Sequence, residues 1–350
     1  MEYRIAKFVQ IYEELPEQHN MCITKSGILK HVTISHRIGS GLFGDVYTGT
    51  IRNKQNPIQK QTNITKLKLF QQKKDTVPDF IIKTCYSSIS HLAEANLAED
   101  VSNIVYNNKC PHFPLSYGYY LCGRVKFKGL RGTGVFKEAG PWQRIKMGKG
   151  LIQLAEYAGM SFYDFLSQNP DTNELHACIA QVLIAIYTLR KYTKINHGDL
   201  YFNNITMYPV SKPVCFRYKI NKTEYNIPVK RWYPVLIDYG QAEDIKNIEG
   251  SGDIFTFLTE FSVGYDGSRP KVSKKGVPII SLTGIPENVS KTVVSMLKKI
   301  LFHYQDVEKN SPYPEWLVKK YQTGTMLLKE TFAHVYKERK SNCKTFTFKI

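Results

Sequence analysis

The chain reads HGDLYFNN at residues 197–204, directly after a strongly apolar helix that we predict over residues 174–192. Asp199 and Asn204 in this stretch carry oxygen atoms of the kind that Mg²⁺ prefers as ligands. His197 could instead indicate a transition-metal site. No second histidine lies at ligand spacing, so we interpret His197 as a structural residue. The stretch therefore predicts a loop with two polar side chains available for chemistry.

A second short stretch, VLIDYG at residues 235–240, places an acidic residue at the end of an apolar, strand-like run. A carboxylate at the end of a buried strand is costly unless it has a partner, and a metal ion supplies one. Asp238 is therefore a third candidate for an oxygen ligand of Mg²⁺.

The sequence GSGLFGDV occupies residues 39–46. A lone G-x-G-x-x-G pattern is weak, because dinucleotide-binding folds also use it, and there it opens a helix. Here β-like runs lie on both sides of the glycines. Strand, glycine turn and strand is the geometry of a flap over nucleotide phosphates, because glycine lets the backbone approach without a Cβ in the way. An ordinary glycine hairpin is the alternative interpretation.

Residues 80–83 read FIIK, so Lys83 ends an apolar strand. Lysine is unusual there, since strands that enter a core avoid it. Its ammonium group could reach the phosphates of a nucleotide. The alternative is a strand-end lysine whose charged head extends to water. A helix is predicted next, over residues 89–106.

The pattern of apolar residues changes along the chain. The first half holds short β-like runs bounded by Gly, Asn, Pro or Ser, at residues 31–38, 45–51, 80–84, 115–121 and 151–157. The second half is mainly helical, with predicted helices at residues 174–192, 253–261, 289–303 and 316–336, the last interrupted near Gly324. Within it, residues 210–233 hold β-like runs around a polar turn at 221–224, which indicates a hairpin.

Taken in order, these motifs resemble the signature of the protein-kinase superfamily, which is a Gly-rich loop, a third-strand Lys, H-R-D-L-x-x-x-N and D-F-G. The resemblance covers about residues 32–261. It implies an α+β, two-lobed protein-kinase-like fold, with a small β-rich N-terminal lobe and a larger helical C-terminal lobe. The implied divisions are an N-terminal appendage at 1–30, an N-lobe at 31–158 with an insertion at about 53–78, and a C-lobe at 159–350 with an insertion at about 210–233.

The resemblance assigns the binding of ATP mainly to the first half of the chain. Lys83 would contact the α- and β-phosphates, paired with a carboxylate on the helix that follows, for which spacing ranks Glu99 first and Glu94 second. The main chain around Glu156 and Ala158 would bind adenine. The phosphate flap would consist of Gly39, Ser40, Gly41, Leu42, Phe43, Gly44 and Val46.

The second half would carry the chemistry. Asp199 resembles the catalytic base, and Asn204 and Asp238 resemble the ligands of Mg²⁺. Asp253 resembles the aspartate that begins a core helix and braces the backbone of the catalytic loop. The implied reaction, with Lys83 and Asn204 also taking part, is transfer of the γ-phosphoryl group of ATP to a hydroxyl. We favour a Ser/Thr protein as the acceptor.

Several positions depart from the signature. Gly198 stands where H-R-D has Arg, and Tyr239 where D-F-G has Phe. Tyr201 stands where serine/threonine kinases usually have Lys, and no A-P-E follows Asp238. H-G-D is typical of aminoglycoside kinases and other small-molecule kinases, and also of serine/threonine protein kinases of large DNA viruses, which this chain resembles. A small-molecule kinase and a pseudokinase scaffold therefore stay open as alternatives.

The composition indicates which cellular compartment and which classes of partner to expect for the chain. The seven cysteines are odd in number and include no C-x-x-C pair, which argues against a disulfide framework and a thiolate zinc site. The N-terminus is too charged for a signal peptide, and no apolar run is long enough to span a bilayer. We therefore expect a soluble, intracellular protein, in a host cell or a virion if it is viral. The net charge of +18 favours acidic protein substrates, nucleic acid or an anionic surface as partners.

Overall fold

The structure is a computed structural model that describes residues 2–15, 31–41, 44–51, 78–86, 88–122, 150–245, 252–262, 273–275, 279–280, 285–302, 325–336 and 343–350. The described residues form an α+β protein, as predicted. The chain divides into two compact units, one of Met1–Ser102 with Pro114–Tyr157 and the other of Asn103–Phe113 with Ala158–Ile350. The predicted insertion at 53–78 lies outside the described residues except for its last position.

The first unit is built on a five-stranded antiparallel sheet in the order β1-β2-β3-β5-β4. All five strands match the predicted β-like runs, because their β-branched and aromatic residues alternate between two faces. The strands are β1 Val32–Gly41, β2 Gly44–Ile51, β3 Phe80–Tyr86, β4 Ser116–Cys122 and β5 Gly150–Glu156.

A helix packs on each face of this sheet. Helix α1, Glu2–Glu14, lies within the segment expected to be an appendage, yet its Ile11 is only 2% exposed and belongs to the same apolar cluster as Phe80 and Leu154. The ring of Phe8 stacks on Tyr117 with 5.0 Å between centroids. The other face packs against α2, Ile89–Tyr106, as predicted for residues 89–106; this cluster contains Cys85, Leu92, Ala95, Tyr119 and Leu151.

The second unit is organised around α4, Thr172–Thr193, whose side chains are buried almost without interruption from Glu174 to Arg190. Asp171 caps its N-terminus by accepting a hydrogen bond from the Glu174 N–H, 2.9 Å. The other helices are α3 Phe162–Ser167, α5 Gly252–Thr259, α6 Glu287–Phe302 and α7 Thr325–Tyr336. Four helices were predicted in this half, and each is found; residues 316–324 of the last lie outside the described ranges.

The second half also carries small sheets, of which the predictions included only the hairpin within residues 210–233 and the strand-like run before Asp238. One has the order β11-β8-β6, a second the order β10-β9-β13, and a third pairs β12 with β7. Their strands are β6 Met160–Ser161, β7 Ile195–Asn196, β8 Ile205–Pro209, β9 Val214–Ile220, β10 Thr223–Val229, β11 Trp232–Leu236, β12 Glu243–Asp244 and β13 Lys344–Lys349.

The predicted insertion at 210–233 contains the antiparallel hairpin β9–β10. The C-terminal strand β13 adds to it in parallel, pairing with β9. A disulfide joins Cys215 of β9 to Cys343 beside β13, with the Cα atoms 5.8 Å apart. The number and spacing of the cysteines argued against a disulfide framework, and they did not predict this one bond, because strand pairing brings together two cysteines that are 128 residues apart.

Among the helices of the described residues, none combines the length and the apolar character that a membrane span requires.

Candidate active site

The stretch at residues 197–204 is held by a buried carboxylate. Asp253 is the second residue of α5 and is 3% exposed. Its Oδ2 accepts a hydrogen bond from the His197 N–H, 2.8 Å, and its Oδ1 accepts one from the Gly198 N–H, 2.9 Å. Both main-chain donors are thereby fixed by one charged group, and charge-assisted bonds of this kind are stronger than neutral ones. Asp253 thus braces the loop in the way that the resemblance implied.

Asp199 and Asn204 of this loop lie side by side. The Nδ2 group of Asn204 donates to Oδ2 of Asp199, 2.9 Å, and to the main-chain oxygen of Asp199, 2.7 Å. Carboxylate and carbonyl oxygens both accept hydrogen bonds, so the amide presents its nitrogen to them. This arrangement leaves Oδ1 of Asn204 as an acceptor for a further partner, such as a metal ion. The structure therefore brings these two predicted site residues together.

Asp238 lies two residues after the end of β11 and is tied to the same loop through its neighbour Ile237. The Ile237 N–H donates to the main-chain oxygen of Asn204, 2.9 Å, and Nε2 of His197 donates to the main-chain oxygen of Ile237, 2.9 Å. His197 is fully buried, which agrees with its interpretation as a structural residue. Asp238 is exposed and has a φ of +64°. Aspartate tolerates this left-handed backbone better than most residues, and such conformations cluster at functional sites.

These oxygen donors suit a hard cation. Mg²⁺ is usually bound through one or two protein oxygens together with substrate phosphates, rather than by a cage of side chains. Asn204 Oδ1 and the Asp238 carboxylate fit that donor set. Within the described ranges, no group of three or more His, Cys, Asp or Glu side chains could hold a metal by itself.

Lys83 in the first unit makes an ion pair with Glu94, with 2.5 Å between Nζ and Oε1. The two side chains are 13% and 4% exposed. Spacing had ranked Glu99 above Glu94, and this ranking was wrong for the ion pair that the structure describes. The two glutamates are five residues apart, which rotates them by about 140° around the helix and separates them by about 7.5 Å along it. Glu94 occupies the buried face of α2, whereas Glu99 is partly exposed.

The glycine turn lies beside Lys83 in the sheet. Gly39 of β1 pairs with Val46 of β2, and Val46 pairs with Lys83 of β3. Three neighbouring strands therefore place these residues in one row, with about 4.8 Å between strands. The two strands predicted on either side of the glycines are confirmed. Of the other flap residues, Ser40 pairs with Asp45 and Gly41 with Gly44, while Leu42 and Phe43 lie outside the described residues.

The segment predicted to bind adenine ends β5. The Glu156 N–H donates to the main-chain oxygen of Leu115, 2.8 Å, so this N–H already has an acceptor within the first unit. The Glu156 carboxylate is bound by Arg4 of α1, a residue that the sequence analysis did not single out. Ala158 begins the second unit's main segment and is buried.

Two departures from the kinase signature have physical causes. Gly198 has a φ of +78°, and a Cβ at this position would lie 2.0 Å from the main-chain oxygen of Gln241, so an arginine does not fit this backbone. Tyr239 is buried, its hydroxyl donates to the main-chain oxygen of Leu236, 2.9 Å, and its ring lies 5.2 Å from that of His197. Burial raises the pKa of Tyr239 well above its ordinary value, so the hydroxyl stays protonated.

We expect Lys83→Met to lower both stability and activity, because it leaves the Glu94 carboxylate buried without its cation. Adding Glu94→Gln removes that unpaired charge. If Lys83 contacts phosphates, the double variant should regain most of the lost thermal stability while its activity stays about a hundredfold or more below the parent. Thermal midpoints and specific activities of the two variants separate the effects. Recovery of full activity in the double variant would leave only a structural role for the pair.

Comparison with known proteins gives one viral relative. The chain is 24% identical over 227 residues to the "Probable serine/threonine-protein kinase 380R" of Invertebrate iridescent virus 6. The match covers 63% of this chain but only 38% of the length of that relative. No model of a known protein family matches the sequence. At this level of identity, the match supports a kinase-like relationship at the level of the superfamily.

Proposed function

We propose that this chain is an ATP- and magnesium-dependent phosphotransferase, and that it acts as a serine/threonine protein kinase. The observation that carries the proposal is the hydrogen bond between Asp199 and Asn204. Asp253 braces the loop that holds them, and a main-chain hydrogen bond joins Asn204 to Ile237, the residue before Asp238. A partly exposed carboxylate, that of Asp199, beside candidate magnesium ligands suits transfer of a phosphoryl group, in which catalysis consists mostly of positioning and charge neutralisation.

Each residue has a role in this proposal. Asp199 would orient the acceptor hydroxyl and take its proton as the new P–O bond forms. Asn204 Oδ1 and the Asp238 carboxylate would hold Mg²⁺, which neutralises charge on the ATP phosphates when bound. Lys83, oriented by Glu94, would contact the α- and β-phosphates, and the glycine turn would cover the phosphates with its backbone. The bond that breaks is the one between the β,γ-bridging oxygen and the γ-phosphorus, so ADP leaves.

A small-molecule kinase is the second candidate. It is favoured by Gly198 and by the gap between Asp238 and Asp253, which contains no A-P-E for docking a peptide. The viral relative, a probable serine/threonine-protein kinase, favours the protein kinase. A pseudokinase scaffold is disfavoured, because Lys83, Asp199, Asn204 and Asp238 are all present.

The test is a transfer assay with the full chain, Mg²⁺ and ATP labelled in the γ-phosphate. Casein as an acidic protein, histone as a basic one and a panel of hydroxylated metabolites serve as acceptors. We expect label on serine or threonine of a protein. Label found only on a metabolite would contradict the proposal of a protein kinase and support a small-molecule kinase. If the chain binds ATP but transfers no phosphoryl group to a substrate or to water, both kinase proposals are wrong and the pseudokinase scaffold is supported.

A further inference from the structure

The carboxylate of Glu156 is buried and held by a bidentate ion pair. Nε of Arg4 donates to both carboxylate oxygens, at 2.8 Å and 2.9 Å, and Nη2 donates to Oε2, 2.7 Å. The two side chains are only 2% and 8% exposed. Buried charges are stable only when they are paired and hydrogen-bonded, and the fork of a guanidinium matches a carboxylate in both distance and direction. The orientation of this carboxylate is therefore strongly determined.

The same carboxylate replaces a main-chain bond of the sheet. In a regular hydrogen-bonded antiparallel pair, two facing residues exchange both N–H···O bonds. Here the Glu156 N–H donates to the Leu115 oxygen, 2.8 Å, but the Leu115 N–H donates to Oε2 of the Glu156 side chain, 3.1 Å. The side chain has taken the donor that would otherwise bind the main-chain carbonyl of Glu156. This carbonyl is thereby released from its pairing with Leu115.

Helix α1 delivers Arg4 to this position and is itself fixed to the sheet. Ile11 lies in the apolar core, Phe8 stacks on Tyr117, and Nζ of Lys7 lies 3.7 Å from Oδ1 of Asp79. Arg4 is one turn of helix before Phe8 and points from the same packed face. Arg4 therefore lies on a helix whose position is fixed by packing, so moving its guanidinium away from the Glu156 carboxylate would cost free energy.

We infer that Arg4 is a positioning residue for nucleobase recognition, acting through Glu156. This inference rests on the proposed function and on the kinase resemblance, which implies that the main chain around Glu156 binds adenine. Adenine carries a 6-amino donor, which a main-chain carbonyl accepts, whereas guanine carries an oxygen at the same place. By holding the carboxylate on the Leu115 N–H, Arg4 keeps the Glu156 carbonyl available to that donor. Without Arg4, the Leu115 N–H returns to the carbonyl and competes with adenine for it.

The experiment measures binding to the full chain by calorimetry, with adenosine, ATP and inorganic tripolyphosphate as separate probes. Arg4→Met should lower the affinities for adenosine and for ATP by the same factor, up to about tenfold, which corresponds to the loss of one hydrogen bond. Tripolyphosphate affinity should not change, and the preference for ATP over GTP should fall. In kinetics, KM for ATP should rise while kcat at saturating ATP stays near the parent value. A loss of folding alone would lower the active fraction without this selectivity.

Lys7→Met is the matched control. It also removes a cation from α1, but this cation pairs with Asp79 and not with Glu156. It should leave adenosine affinity unchanged. If Arg4→Met does not fold, Arg4→Met with Glu156→Met removes both buried charges at once, which buried ion pairs often tolerate. This double variant also lacks the carboxylate, so we expect the same loss of affinity for adenosine.

The outcomes distinguish the inference from the function on which it rests. If the parent protein binds neither ATP nor adenosine, the proposed function fails, and the role of Arg4 fails with it. If the parent binds both, and a folded Arg4 variant binds adenosine equally well with unchanged preference over guanosine, the function stands and the positioning role is wrong.

Discussion

Asp199→Asn is expected to lower the rate of phosphoryl transfer by roughly two to four orders of magnitude, the usual worth of a positioned acid or base. Affinity for ATP should stay close to that of the parent, because the base acts on the acceptor hydroxyl. The substitution is nearly isosteric, and its amide oxygen can still accept the bond from Nδ2 of Asn204 that now reaches Oδ2 of Asp199. The loop should therefore keep its geometry. Initial rates at saturating ATP and calorimetric ATP affinity measure the two quantities.

The matched control for this variant is Asp100→Asn, which makes the same change of charge at an exposed position of α2. It should keep the parent rate. An Asp199→Asn protein with a parent-like thermal midpoint and more than a tenth of the parent rate would remove Asp199 from its role as base. Loss of ATP affinity together with the rate would instead place Asp199 among the nucleotide contacts.

Local sequence patterns predicted the elements that hold the site, because each depends on residues close together in the chain. The run around Phe80 alternates with the period of a strand, and the glycines before Val46 occur where two strands turn. The long apolar run after Asp171 could only be a buried helix at its length. Asp253, two positions into a short apolar helix, was assigned by resemblance and braces the loop as that assignment required.

Partners that depend on packing were harder to predict. The choice between Glu94 and Glu99 is a question of which face of α2 meets the sheet, and a count of residues along the chain does not answer it. Arg4 and Glu156 are 152 residues apart, so no local pattern links them. A signal for α1 itself was present, since Phe8, Ile11 and Leu15 recur at the spacing of one helical face.

Removing the carboxylate of Asp238 is expected to abolish the dependence of ATP affinity on Mg²⁺ and to lower kcat/KM by about 10²–10³-fold, since metal ions contribute several kcal/mol of charge stabilisation. The choice of substitution matters, because Asp238 has a φ of +64°. Alanine in this left-handed conformation costs about 1–2 kcal/mol, whereas asparagine visits it routinely. Asp238→Asn therefore tests the charge without adding backbone strain, and comparison with Asp238→Ala measures that strain.

Calorimetric titration of ATP at increasing Mg²⁺ gives the result directly. In the parent, affinity should rise with Mg²⁺; in Asp238→Asn and Asp238→Ala it should stay flat, with a lower thermal midpoint only for the alanine variant. Asp199→Asn should keep the rise, because Asp199 is assigned to the acceptor hydroxyl. A folded Asp238→Asn protein whose ATP affinity still increases with Mg²⁺ as in the parent would contradict the metal role. In that case the left-handed Asp238, joined through Ile237 to Asn204 and His197, would serve only to turn the chain at the end of β11.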